Sequence, residues 1–145
     1  MRRGADGVSD VVRGVQHFQT ENGKEWWREF VRFYPVKRKC DLSESCGLQS
    51  LTPEVARADP ESRNAFTAEL LRVAQAIVDG PASLDAPSTI EAAQAALATL
   101  IGAVTLARAV DDPAVAKRIA TAAEHALVAS SQSKVKSTGA KSRRR

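Results

Sequence analysis

The feature that most constrains this chain is a run of 16 residues without a charge, at positions 92–107. Its composition predicts a helix that is apolar on nearly every side, and such a helix must be buried on nearly every side. Sixteen residues fall short of the roughly 20 that span a bilayer, so we expect no membrane span. The sides of this helix that one small domain leaves uncovered are predicted to face a second subunit.

Helix starts are marked by a capping side chain followed by proline, which fits the first helical position because its missing N–H is not needed there. These pairs are Thr52-Pro53, Asp59-Pro60 and Asp112-Pro113. Ser88 is predicted to cap the uncharged helix. No segment alternates in the way that a half-buried strand does. The sequence therefore predicts an all-α fold of five to six helices.

Five of the seven aromatic residues lie at positions 26–34. Their spacing of three and four residues predicts a helix over residues 24–34 that ends before Pro35. These side chains either line a pocket for an apolar ligand or form the core of the domain, and the sequence leaves both interpretations open. Since Trp26 and Trp27 are adjacent, they are not expected to face the same core, and one of them is predicted to serve another surface.

Charge is spread unevenly along the chain, although the net charge is only +4. The net charges are +4 for residues 1–40, −6 for residues 41–130 and +6 for residues 131–145. Residues 1–23 predict an extension in which glycines weaken a helical repeat over residues 7–18. Residues 130–145 are rich in Ser, Lys and Arg, which predicts a disordered basic tail. The acidic middle repels phosphate, so only the two ends are suited to contact nucleic acid.

The sequence offers little for catalysis or metal binding. Cys40 and Cys46 would need two further ligands to form a zinc site, whereas His17 and His125 are distant from each other in sequence. No activated nucleophile and no phosphate-binding glycine loop is recognisable. We expect no enzyme activity, no metal and no cofactor, and we expect Cys46 to be a buried or pocket-lining thiol. Two cysteines and no apolar run after the basic start predict a cytoplasmic location.

Four segments carry a resemblance to a known family: residues 27–34, SCGL at 45–48, LTPEVARADPESRNAFTAEL at 51–70 and ATLIGAVTLARAVDDPAVAKRI at 98–119. Together they resemble the C-terminal domain of TetR-type transcriptional regulators. The resemblance covers residues 24–129 and implies a helical domain that binds a small, often apolar effector and dimerises. It implies that the last two helices of each subunit build a dimeric four-helix bundle. It does not reach the DNA-binding domain of the family, because residues 1–24 contain no helix-turn-helix, and Cys46 precedes Gly47 where the family has the glycine first.

The resemblance and the apolar spacing assign candidate residues to a pocket and to a dimer interface. The pocket candidates are Trp27, Phe30, Phe33, Tyr34, Cys46, Leu51, Phe66 and Leu70. The interface candidates are Leu97, Leu100, Ile101, Val104, Ile119, Ala123 and Leu127. No residue is assigned to catalysis, to metal binding or to DNA.

We therefore expect an effector-binding and dimerisation domain of a TetR-like regulator that lacks its own DNA-binding domain. Its expected partners are a second copy of itself, a full-length TetR-type regulator and an unknown small apolar effector; sequence-specific DNA binding and a membrane are not expected. Two alternatives stay open. One is a gene remnant, or a product with a misplaced start, that folds without a ligand or partner role. The other is a small protein that binds nucleic acid non-specifically through its basic tail.

Overall fold

The computed structural model describes residues 2–40 and 56–128, with side chains for residues 11–34 and 56–128. Its helices are α1 (Arg2–Asn22), a short 3-10 helix (Gly23–Glu25), α2 (Trp26–Cys40), α3 (Pro60–Val78), α4 (Ile90–Ala109) and α5 (Pro113–Leu127). No β-strand occurs in these two ranges, and the all-α prediction is therefore confirmed. The expected helix start at Thr52-Pro53 and the basic tail lie outside the described residues.

Helices α3 and α5 begin where the Asp-Pro pairs predict. The carboxylate of Asp59 accepts a hydrogen bond of 2.8 Å from the backbone N–H of Ser62. The carboxylate of Asp112 accepts one of 2.8 Å from the backbone N–H of Ala114. In both helices proline occupies the first turn, so the two local signals act together.

Helix α4 is capped by Thr89 and not by Ser88, which corrects the predicted cap by one residue. The Thr89 hydroxyl accepts a hydrogen bond of 3.1 Å from the backbone N–H of Ala92. Thr and Ser are both suitable caps, and the residue directly before the first helical position is the one whose side chain reaches the N–H groups of the first turn.

Helix α1 is longer than the interrupted repeat predicted. It packs against α2 and α3, and Val11 and Val15 are buried in the core. Gln19 joins α1 to α3, because its Nε2 donates a hydrogen bond of 2.8 Å to the carbonyl of Ala76. Gly14 faces open space, so the glycine does not interrupt this packing.

Helix α2 continues past Pro35, so the predicted end before this proline is wrong. Proline lacks the N–H that would bond one turn back, and it disfavours helical geometry in the residue before it. That residue, Tyr34, is only 3% exposed, and its ring lies 5.7 Å from that of Phe30, centroid to centroid. Tertiary packing holds Tyr34 in the helical conformation, and the helix runs on from there.

Trp26 and Trp27 are both fully buried, which corrects the expectation that one of them would serve another surface. Both fit in one core because α1, α4 and α5 all pack against α2. A buried indole N–H needs a hydrogen-bond acceptor. Nε1 of Trp26 donates to the carbonyl of Pro81 at 2.9 Å, and Nε1 of Trp27 donates to the carbonyl of Leu127 at 3.3 Å. These two hydrogen bonds connect α2 to Pro81 and to Leu127, which are both distant from it in sequence.

Ser83, in the linker between α3 and α4, caps the start of α2. Its hydroxyl accepts a hydrogen bond of 3.3 Å from the backbone N–H of Trp27 and donates one of 2.7 Å to the carbonyl of Lys24. The first N–H groups of a helix have no partner within that helix. Ser83 therefore supplies, from more than 50 positions away in sequence, a partner that local residues do not provide.

Candidate interaction surface

The predicted pocket residues that the structure describes lie together, but they pack as a core. Trp27, Phe30 and Tyr34 are at most 4% exposed, and the ring centroids of Trp27 and Phe30 are 5.9 Å apart. Phe33 is the exception, at 37% exposure, with its ring 5.0 Å from that of Phe18. The half-buried pocket candidates that pack against the same core are Phe66 and Leu70. The two that lie outside the described residues are Cys46 and Leu51.

Three of the predicted dimer-interface residues belong to the core of a single chain. Leu97, Leu100 and Val104 are at most 2% exposed, so they are not available to a second subunit, and their assignment to the interface is corrected. The absence of charge on every side of this helix does not by itself reveal which side faces inward. Substituting Glu for Leu100 or Val104 would therefore test folding, not association.

The other predicted interface residues lie nearer the surface. Ala123 is 6% exposed and lies outside the main core cluster. The half-buried ones are Ile101, Ile119 and Leu127. Of these, Ile101 and Leu127 pack against the main core, which leaves Ile119 as the member with the clearest access to the outside.

The side of α4 that faces away from the core is uncharged and made largely of small residues. Ala95, Thr99, Gly102 and Leu106 follow one another at steps of three and four residues, which places them on one side of the helix. Leu106 is 57% exposed, and a Cβ added to Gly102 would meet no atom within 4 Å. The hydroxyl of Thr99 donates to the carbonyl of Ala95 at 2.9 Å, so its methyl group remains for outside contacts.

Helix α5 extends this uncharged surface. Helices α4 and α5 pack against each other. Ala103 and Ala107 of α4 and Ala116 and Ala123 of α5 are buried but lie outside the main core cluster, which is consistent with a position between these two helices. At about 100° per residue, Leu106 comes next to Ala103 around the circumference of α4. The uncharged side of α4 therefore borders on α5.

The two sides of α5 differ in what they face. Glu124 accepts a hydrogen bond of 3.1 Å from Nε of Arg32, which marks the side of α5 that faces α2. The opposite side carries four uncharged residues that are half-buried or exposed. They are Val115, Ile119, Ala122 and Ala126. We call these four, together with Ala95, Thr99, Gly102 and Leu106, the α4–α5 face.

Size could have indicated in the sequence which side of α4 is outward. The large residues at 97, 100 and 104 occupy one side, whereas the residues at 95, 98 and 102 are Ala or Gly. A core selects large apolar side chains because burial free energy grows with apolar area. The large residues therefore mark the inner side, and Leu106 is the single large residue that does not follow the pattern.

By length and composition, α4 is long and apolar enough to cross a membrane. It is 20 residues long, and its most apolar 18-residue window has a mean hydropathy of 1.6 with 39% of the window buried. The expectation of no span rested on a run of 16 residues, and the helix is longer than that run. The core helix of a soluble protein can have the same length and composition. Here seven residues of α4 are buried against other parts of the chain, so part of the apolar surface of this helix belongs to the core.

The described residues contain no group of three or more His, Cys, Asp or Glu side chains positioned to hold a metal ion. One carboxyl group in them has a clearly displaced pKa: hydrogen bonds from the backbone N–H and the hydroxyl of Ser62 lower the pKa of Asp59 below its usual 3.8. That displacement belongs to helix capping. The α4–α5 face is the feature of the described surface on which we base a functional interpretation.

No protein-family model, curated protein or solved structure matches this chain.

Proposed function

We propose that this protein contains a dimeric regulatory domain of TetR-like type that acts in the cytoplasm and responds to a small apolar effector. The observation that carries the proposal is the α4–α5 face, which is uncharged on two adjacent helices and includes a leucine that is 57% exposed. Exposed apolar surface of this kind marks sites of protein association.

The size of the face favours a contact that uses both helices. A helix of 20 residues is about 30 Å long and about 10 Å wide, which gives about 300 Å² for one side of α4. A stable interface buries about 800 Å² per partner. Helix α5 roughly doubles the available area, so pairing of α4 and α5 with the same two helices of a second copy is favoured over contact through α4 alone.

The effector part of the proposal depends on the resemblance to TetR-type domains and on the aromatic cluster. Because Trp27, Phe30 and Tyr34 are packed, an effector that reached them would have to displace their rings or enter at the more exposed Phe33. A ligand that binds one arrangement of the helices better than another shifts the population toward it. Through the same α4–α5 face the chain would also pair with a full-length TetR-type regulator.

The solution mass of the full chain tests the proposal, measured by sedimentation equilibrium across a range of concentrations. We expect a dimer for the natural sequence and a folded monomer for Leu106→Glu, because the dimer would bury an unpaired carboxylate. We expect the apparent dissociation constant of this variant to rise at least 100-fold.

Leu71→Glu is the matched control, since Leu71 is also an exposed leucine on a helix, at 44% exposure, but lies on α3. It should remain a dimer with the affinity of the natural sequence. A natural chain that is monomeric at every concentration, or a Leu106→Glu variant that stays fully dimeric, would contradict the proposal.

A further inference from the structure

We draw no further inference here: the strongest candidate, the turn at Leu84 and Asp85 in the linker between α3 and α4, holds Asp85 at a φ of 67° and leaves Leu84 51% exposed, but nothing in the structure shows what covers that leucine.

Discussion

Replacing Ser83 by alanine tests whether the linker between α3 and α4 holds the aromatic helix in place. The substitution removes one oxygen that makes two hydrogen bonds, to the N–H of Trp27 at 3.3 Å and to the carbonyl of Lys24 at 2.7 Å. A hydrogen bond contributes about 0.5–1.5 kcal/mol net, and loss of a helix cap costs about 1 kcal/mol. Ser83 is only half-buried, so water can partly replace it. We expect the free energy of unfolding to fall by about 1–2 kcal/mol.

Urea denaturation followed by circular dichroism measures this loss. We expect the midpoint to fall while the slope of the transition stays constant, since the surface exposed on unfolding is unchanged. Ser88→Ala is the control, because Ser88 is exposed in the same linker and should leave the midpoint where it is. A Ser83→Ala variant as stable as Ser88→Ala would refute the idea that a distant side chain caps α2.

Two further predictions concern single residues. Trp26→Phe should lower the free energy of unfolding by about 2–3 kcal/mol, because it leaves a void and removes the donor to the carbonyl of Pro81. Calorimetry would measure this loss. An unchanged melting temperature would show that the hydrogen bond from the indole N–H is not needed for stability. The hydrogen bonds from Ser62 that lower the pKa of Asp59 stabilise the carboxylate in the folded state, so this contribution is present above the usual pKa of 3.8 and is lost as the pH falls through the lower folded value. Asp59→Ala should therefore lose stability at neutral pH and show a shallower decline as the pH falls below 3.8. An acid titration identical to that of the natural sequence would contradict this account.

The helix starts and the all-α class were readable from the sequence because the signals are local. Asp59 and Asp112 cap helices through bonds that span two or three residues, and the proline after each fixes its own backbone angle. The candidate surface was readable only in part. The lack of charge in residues 92–107 pointed to α4, and α4 does carry the face, but Leu97, Leu100 and Val104 proved to be core residues and Leu106 was overlooked.

Sequence patterns thus suffice for most of the described helices, for the caps at Asp59 and Asp112 and for the concentration of apolar residues in α2 and α4. Only the packed chain shows that both tryptophans are buried, that α2 continues past Pro35 and that Ser83 caps a helix from a distant position. The difference lies in the range of the interactions. A cap supplied by the residue just before a helix acts within one helical turn. In contrast, the direction in which an apolar helix faces depends on which other helices surround it.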